Sequence, residues 1–181
     1  MKVIIMCGVS GAGKSSWYWY PPECVIVSAD HFFDELAEKE GKTYTEVFDF
    51  HLLGKAHGEC LLSFVESLKQ IEWSERRYGQ LLSASFITIV VDNTNCTIAE
   101  IAPYVALAQA YGAEIEIVRI NVEPEVAHER NTHGVPLSGV LNQHAALKNL
   151  DKNWPRHWPK IREVSATVSG DLSARDTTTL G

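Results

Sequence analysis

The stretch that most constrains this chain is residues 8–15, which read GVSGAGKS. It follows a short apolar run at residues 3–6 and precedes a helical segment at 13–20, which Pro21 and Pro22 would end. Three glycines in this stretch give the backbone wide conformational freedom directly after a strand predicted to be buried. Few folds place such freedom beside their core, so the stretch indicates a loop whose backbone contacts a ligand.

The loop matches the pattern G-x-x-x-x-G-K-[ST] at every fixed position, with a strand before it and a helix after it. In this arrangement backbone N–H groups point inward at phosphate, and the helix adds its positive end. Lys14 would reach the β- and γ-phosphates, and the Ser15 hydroxyl would be a Mg²⁺ ligand, so the pattern predicts ATP or GTP binding. The predicted nucleotide-binding residues are Gly8, Ser10, Gly11, Ala12, Gly13, Lys14, Ser15 and Ser16.

Apolar runs typical of buried strands alternate with amphipathic helical segments along most of the chain. The predicted strands are 2–7, 24–28, 86–91 and 114–120. The predicted helices are 13–20, 30–40, 52–70, 98–111, 125–131 and 138–150. This order predicts an α/β fold, a three-layer sandwich with a mostly parallel central sheet and helices on both faces.

Composition narrows the class of protein further. The chain has 181 residues and a formal net charge of −7, as expected for one globular domain without a generally basic surface. No apolar run approaches the roughly 20 residues of a membrane span, and the start does not read as a signal peptide. The four cysteines are scattered without a CxxC pair, which argues against zinc and favours a reducing, cytoplasmic setting.

Asp30 is the candidate catalytic base. It follows the second predicted strand, and the carboxyl ends of parallel strands meet at the edge of the sheet where the phosphate loop lies. A carboxylate in that position can accept the proton of an attacking hydroxyl. The alternative is a helix N-cap, a role for which Ser28 is an equally good candidate.

Polar residues after the third strand and on a predicted lid complete the cleft. Asp92 ends the strand and is a candidate Mg²⁺ ligand, with Thr94 and Asn95 as substrate-binding groups. The alternative for this DNTN stretch is an ordinary turn. Arg130 lies on a predicted helical lid near residues 123–136, where a guanidinium would offset charge on the transferring phosphoryl group. Without further context, Arg130 also fits an ordinary surface helix.

Six segments in order carry a resemblance to a known family: GVSGAGKSSW, VSADHFF, FDFHLLGKAHGEC, IVVDNTN, IAPYVALAQAYG and AHERNTHGVP. Over about residues 1–145 the chain resembles the polynucleotide-kinase-like P-loop kinases. That group includes the kinase domain of phage polynucleotide 5′-hydroxyl kinase and small P-loop domains of animal ubiquitin-ligase-binding proteins. The resemblance implies that Lys14 and Ser15 are the phosphate and Mg²⁺ ligands, Asp30 the general base and Arg130 the lid arginine.

The chain departs from the phage kinase on the acceptor side. Three residues after the base, the phage enzyme has an arginine that grips the acceptor's phosphate, whereas this chain has Phe33. A phenyl ring can stack on a base or sugar but cannot pair with phosphate. Phe33 is therefore predicted to line the acceptor cleft, with weak dependence on a neighbouring phosphate, unless it packs in the core instead.

Residues 151–181 have no clear counterpart in the phage kinase domain. They are predicted to form an aromatic and basic extension with a polar tail, appended to a kinase domain of residues 1–150. In NWPRHWPKIR, Trp154 and Trp158 alternate with cations, a composition that suits binding of single-stranded nucleic acid. The alternative is a hydrophobic clasp in which both tryptophans pack on the domain.

The leading functional hypothesis is an ATP-dependent kinase for a hydroxyl of nucleic acid, above all the 5′-hydroxyl of a polynucleotide single strand or end. One alternative is a same-fold kinase for a hydroxymethylated DNA base, a nucleoside or another small-molecule hydroxyl. A second is a nucleotide-gated binding module with little turnover. A GTPase is disfavoured because the N/T-K-x-D motif is absent, and a mechanical ATPase would normally be longer.

Overall fold

A mostly parallel β-sheet forms the centre of the protein. The structure is a computed structural model that describes residues 1–17, 24–78, 87–166 and 172–173. Its strands are β1 (Lys2–Cys7), β2 (Cys24–Val27), β3 (Thr88–Asp92), β4 (Glu114–Asn121), β5 (Ile161–Ala166) and β6 (Leu172–Ser173). They are ordered β2-β3-β1-β4-β5-β6, with β6 antiparallel to β5 and the other pairs parallel. The predicted fold class is confirmed.

Helices connect the strands and flank the sheet. They are α1 (Lys14–Trp17), α2 (Asp30–Glu40), α3 (Tyr44–Val47), α4 (Leu53–Tyr78), α5 (Ile98–Ala110), α6 (Pro124–Arg130) and α7 (Leu137–Leu150). Helix α2 ends as predicted because Gly41 adopts the left-handed conformation, with φ of 63°. Helix α4 extends beyond the predicted end at Gln70, and an ion pair of 2.7 Å joins Glu72 and Arg76 in the added turns. Predicted helical residues 18–20, the prolines after them and predicted strand residue 86 lie outside the described residues.

The buried central strand positions the loops that follow the neighbouring strands. Strand β1 lies between β3 and β4, and its residues 3–7 are all buried because both edges and both faces are covered. In the register, Met6 lies beside Asp92 of β3 and Val118 of β4. Strands β1, β2 and β3 therefore end along one edge of the sheet, where the phosphate loop, Asp30 and Asp92 come together.

The predicted domain boundary at residue 150 is wrong. Residues 161–166 form β5, which pairs in parallel with β4 from Ile117 to Asn121 and so belongs to the central sheet. The sequence analysis missed this strand because IREVSA has neither a continuous apolar run nor a regular alternation of polar and apolar residues, and it lies near a polar tail. The domain that contains the central sheet thus continues through Ala166, and the parts of the polar tail at 167–171 and 174–181 lie outside the described residues.

The tryptophans of the C-terminal segment pack on the domain. The Trp154 and Trp158 rings meet edge to face with centroids 5.3 Å apart, and both contact the hydrophobic core. The Trp154 indole N–H donates to the Pro159 carbonyl over 3.0 Å. This arrangement matches the hydrophobic-clasp alternative of the sequence analysis.

A buried arginine joins β4 to β5 and α7. Arg119 donates to both carboxylate oxygens of Glu163, to Asp151 over 2.8 Å and to the Leu147 carbonyl over 3.2 Å. Its side chain is 9% exposed, so the carboxylates are needed to offset the loss of hydration of the cation. The network fixes the C-terminal segment against the sheet.

The cysteines are not arranged for metal binding or disulfide formation. Cys7, Cys60 and Cys96 are buried free thiols, and Cys24 is half-buried. Burial raises the pKa of each of the three buried thiols, to about 12 at Cys96. In the part of the chain that the structure describes, there is no cluster of three or more His, Cys, Asp or Glu suited to a metal ion. No described helix is long and apolar enough to cross a membrane.

Candidate active site

A cleft of about 540 Å³ lies at the carboxyl end of the parallel strands. It brings together predicted site residues from four separate parts of the chain: the loop residues 11–16, Asp30, Asp92 with Thr94, and Arg130. Asn93, Thr132, His133 and Ala166 complete its lining. The most useful sequence predictions thus converge on one cavity, at the edge of the sheet where α/β folds bind their ligands.

The phosphate loop needs glycine at two positions. Gly11 has φ of 79° and Gly13 has φ of 87°, a region that other residues rarely adopt. A Cβ on Gly11 would also overlap the carbonyl oxygen of Ala127 in α6, so the loop packs directly against the lid. The Lys14 ammonium donates to the carbonyls of Gly8 and Val9, over 3.3 and 3.2 Å, and is held above the loop.

Two predicted nucleotide ligands have another role. The Gly8 amide donates to the Thr94 carbonyl over 2.9 Å, and the Ser10 amide donates to Oε1 of Gln143 over 2.8 Å. Gln143 returns a hydrogen bond from Nε2 to the Ser10 hydroxyl over 3.2 Å. Neither Gly8 nor Ser10 lines the cleft, so the prediction is corrected for these two: they anchor the loop to the β3 end and to α7.

Asp30 is placed at the start of α2 with its carboxylate in the cleft. The N-cap position of α2 is Ala29, which makes no side-chain cap, and the Asp30 backbone N–H donates to the Ser28 hydroxyl over 3.2 Å, so Asp30 is not the N-cap that the sequence left as its alternative role. The Asp30 carboxylate makes no such cap and is 49% exposed. It is therefore available to a substrate hydroxyl.

Two side chains that the sequence analysis did not single out contact this carboxylate. The Tyr44 hydroxyl donates to Asp30 Oδ1 over 2.7 Å, and His133 Nε2 lies 4.0 Å from Oδ2. The Tyr44 and His133 rings are also in contact, with centroids 4.6 Å apart. Burial, followed by the hydrogen bond to Asp30, raises the pKa of Tyr44, so the phenol keeps its proton and is the donor. Together they orient the carboxylate and join α3 to the lid.

The residues after β3 divide into cleft and support groups. Asp92 and Thr94 are half-exposed in the cleft, as predicted from their position at the strand end. Asn93 is buried, accepts from the Ala29 amide over 2.9 Å, and donates to Cys60 and Tyr104. It ties the end of β3 to the segment that carries Asp30.

Asn95 does not have the substrate-binding role predicted for it. Its side chain is buried and donates to the Met6 carbonyl over 2.8 Å, and its φ of 44° is left-handed. Asparagine tolerates this backbone conformation better than most residues. Asn95 therefore stabilises the turn between β3 and α5 rather than contacting a substrate.

Phe33 lies in the core, which is the alternative that the sequence analysis gave for it. Phe33 is 0% exposed and packs against Phe32, Tyr44 and Phe48, with ring centroids 5.2, 5.7 and 4.9 Å away. It forms the buried face of α2 together with Ala37, one helical turn away. Phe33 also belongs to the lining of a pocket that adjoins the cleft at Asp30, as predicted from its position, but its full burial leaves no free ring face for stacking.

The predicted lid is α6 and the turn that follows it. Asn131 shapes this turn, accepting from the His133 amide over 3.0 Å and donating to the Val135 carbonyl over 2.9 Å. Arg130, the last residue of α6, and His133 in the turn both line the cleft. The lid thus contacts the phosphate loop on one side and Asp30 on the other.

Comparison with known proteins places this site in a family. Residues 3–133, well over half of the chain, match the family described as AAA domain (AAA_33). The chain belongs to this family of P-loop kinases. Membership supports a phosphotransferase that binds ATP. It leaves the narrower resemblance to polynucleotide kinases as a prediction.

The chain also resembles individual proteins and solved structures. A 143-residue segment covering 75% of this chain is 27% identical to human NEDD4-binding protein 2 but spans only 7% of that protein's length. A structure of AvrRxo1-ORF1:-ORF2 with ATP has a TM-score of 0.58 at 17% identity, covering 95% of this chain and 56% of that one. A chain of the PezAT chromosomal toxin–antitoxin system of Streptococcus pneumoniae has a TM-score of 0.54 at 16% identity, with coverages of 99% and 73%. At such identities the structural likenesses concern the fold alone.

Proposed function

We propose that this chain is an ATP-dependent kinase that transfers the γ-phosphate to a hydroxyl of nucleic acid, most directly a polynucleotide 5′-hydroxyl. The single observation that carries the proposal is the meeting of the phosphate loop, Asp30 and Arg130 in one cleft. A donor loop, a base and a lid cation are the parts that phosphoryl transfer to an alcohol requires. The nucleic-acid acceptor rests on the resemblance of the SADHFF, VDNTN and RNTHGVP segments to polynucleotide-kinase-like proteins.

The proposed reaction assigns one task to each group. Asp30 takes the proton of the acceptor hydroxyl as its oxygen attacks the γ-phosphorus, and the bond from that phosphorus to the ADP oxygen breaks. Lys14 and the amides of the loop hold the β- and γ-phosphates. Arg130 offsets negative charge on the phosphoryl group as it transfers. Asp30 then releases the proton to water, and the products are ADP and a phosphate monoester.

The oxygen groups in the cleft fit Mg²⁺. The Ser15 hydroxyl, the Asp92 carboxylate and the Thr94 hydroxyl all line it, and these are the hard oxygen donors that Mg²⁺ prefers. Mg²⁺ retains several waters and commonly binds one or two protein ligands together with substrate phosphates. Ser15 and Asp92 are therefore the proposed ligands, and the ion would neutralise charge on the bound triphosphate.

A second candidate function is supported by the chemistry of the acceptor side. A pocket of about 400 Å³ adjoins the cleft, sharing Asp30, Asn93 and Thr94 with it. Its described lining contains the acidic residues Asp30 and Glu100 and one histidine, His57, but no lysine or arginine. This favours an uncharged acceptor group at the pocket, as in a nucleoside or another small-molecule alcohol.

An acceptor panel with γ-labelled ATP tests the proposal and separates the candidates. The panel contains a 5′-hydroxyl oligonucleotide, a nucleoside, DNA with a hydroxymethylated base and a sugar. We expect label at the 5′ end of the oligonucleotide. Label only on a small molecule would support the second candidate, and no label on any acceptor would contradict both and leave a nucleotide-gated binding module.

The Lys14→Ala variant is the internal control for the panel. The variant should lose transfer with an unchanged melting temperature, because Lys14 acts on ligand charge and is not a core residue. Lys39→Ala, at an exposed position near the end of α2, provides the matched control and should retain activity. Transfer by Lys14→Ala at the wild-type rate would contradict the assignment of the loop.

A further inference from the structure

The aromatic side chain of Phe50 is held in solvent at the rim of the acceptor pocket. It is 70% exposed, the highest value among the large exposed apolar residues of the described chain. Its backbone is fixed in a 3₁₀ turn, Phe50–Leu52, where the preceding Asp49 accepts from the His51 amide over 2.9 Å. The Phe50 ring contacts Phe48 edge to face with centroids 5.2 Å apart. Folding therefore leaves this ring in place without burying it.

The pocket beside Phe50 leads to the candidate base. Phe50, Phe48 and Leu53 lie along its apolar side, and Asp30 lies where the pocket joins the phosphate cleft. A volume of about 400 Å³ lies in the range of small-ligand sites. An acceptor whose hydroxyl reaches Asp30 would place the rest of the molecule in this pocket.

The polar groups of the pocket favour an uncharged planar ring. Asp30 and Glu100 would repel a phosphate, and the described lining contains no lysine or arginine to pair with one, His57 being its one basic residue. Gln143 also lines the pocket but is already paired with Ser10, whereas Asn142 is exposed on the wall and can serve as both donor and acceptor. An aromatic face beside amide groups suits a nucleobase, which has a π-face and a hydrogen-bonding edge.

We propose that this pocket is the acceptor subsite and that it binds a nucleobase stacked on Phe50, without a lysine or arginine of the pocket pairing with an acceptor phosphate. The inference rests on the proposed function, since it assigns the acceptor side of the same cleft. Phe33 also lines this pocket but is fully buried, so the proposal assigns stacking to the exposed Phe50. The proposal also makes the nucleobase of the acceptor, and not the charge of the acceptor, the basis of specificity.

The test compares two probes with the full-length chain: a short 5′-hydroxyl oligothymidylate and the same oligomer with an abasic first residue. Equilibrium binding and phosphate transfer are measured for the wild type, Phe50→Ala and Phe50→Trp. Leu62→Ala, at a 58% exposed position of α4 outside the pocket lining, is the matched control. Because Phe50 and Leu62 are both exposed, none of the variants should change the melting temperature.

We expect Phe50→Ala to weaken binding of the base-bearing probe about tenfold, the scale of one lost base–aromatic stack. The abasic probe should bind equally to wild type and Phe50→Ala, and Phe50→Trp should retain the preference for the base. An equal loss on both probes, or no loss, would overturn the subsite, as would failure of the wild type to prefer the base-bearing probe. Base-dependent binding without transfer would support the subsite and contradict the kinase proposal. Transfer to the oligonucleotide at the same rate with and without the Phe50 ring would support the kinase proposal and contradict the subsite.

Discussion

The Tyr44–Asp30 hydrogen bond suggests a positioning residue for the base. Tyr44→Phe removes the donor to Oδ1 and keeps the ring that packs on Phe33 and Phe48. We expect kcat to fall about tenfold, since a hydrogen bond to a charged group contributes roughly 1.5–3 kcal/mol and the half-exposed carboxylate should lie at the low end.

A split between kinetic parameters distinguishes positioning by Tyr44 from a general structural role. The KM for ATP and the melting temperature of Tyr44→Phe should match the wild type, because the hydroxyl contacts Asp30 and not the phosphate loop. Tyr111→Phe, in a half-buried position at the end of α5, is the matched control and should leave kcat unchanged. An unchanged kcat in Tyr44→Phe would remove Tyr44 from the mechanism.

Residue-level prediction worked where a motif fixed both residue type and place. Lys14, Ser15, Asp30 and Asp92 follow predicted strands directly, so their meeting at one edge of the sheet followed from parallel topology. The direction of a side chain within an element was harder to predict. Asn95 lies in the right turn but points into the core.

The sequence carried different amounts of signal for Phe33 and for the two side chains that contact Asp30. Phe33 and Ala37 lie four residues apart on the buried face of α2, but Phe32 and Leu36 have the same spacing, so the helical period marks an apolar side of α2 without identifying its most buried residues. Tyr44 and His133 reach Asp30 only through the packing of α3 and the lid, and local spacing carries no signal of such long-range contacts.

At the element scale, one carboxylate links three strands across a face of the sheet. Glu116 of β4 accepts from Lys2 of β1 over 2.6 Å and from Arg162 of β5 over 3.0 Å. Partial burial opposes ionisation of Glu116, but the hydrogen bonds and charges of Lys2 and Arg162 outweigh it and lower the pKa of Glu116. The stabilisation is therefore present above the ordinary pKa of about 4.5 and is lost as the pH falls through the lower pKa of the folded state.

Glu116→Gln should remove this contribution. We expect the free energy of unfolding at pH 7 to fall by about 1 kcal/mol, and the acid-induced loss of stability below pH 4.5 to become shallower than in the wild type. Urea titrations at pH 7 and at stepwise lower pH measure both effects. Glu114→Gln, 70% exposed with its carboxylate 3.9 Å from Lys2, is the control and should change little. Identical pH profiles for wild type and Glu116→Gln would contradict this account.

The ion pair between Arg162 and Glu116 helps to explain why the sequence analysis did not predict β5. One of its faces carries Arg162, which pairs with Glu116, so the segment lacks the continuous apolar run typical of β1 and β3. Apolar patterning predicts strands that are buried on both faces, whereas β5 has a single fully buried residue, Val164. Its place in the sheet depends on Arg119 and Glu163, a contact between distant parts of the chain.

At the scale of the whole molecule, hydrogen bonds and direct contacts connect the sheet, the phosphate loop and the lid. The phosphate loop is fixed by Thr94 from the β3 end and by Gln143 from α7, and the lid rests on Gly11. Asp30 is reached by Tyr44 from α3 and by His133 from the lid. The donor side and the acceptor side are therefore connected through the lid, consistent with a reaction that requires both substrates in place.

The central claim is that Asp30 activates the acceptor hydroxyl for attack on ATP. Single-turnover phosphate transfer and ATP affinity, measured together for Asp30→Asn, test it most directly. We predict that transfer slows by about 10²-fold or more, the scale of a lost general base, while ATP binds as in the wild type. Asp34→Asn, at an exposed position one turn along α2, should leave both unchanged. Weakened ATP binding with a nearly normal transfer rate would contradict the claim and make Asp30 a nucleotide or metal ligand.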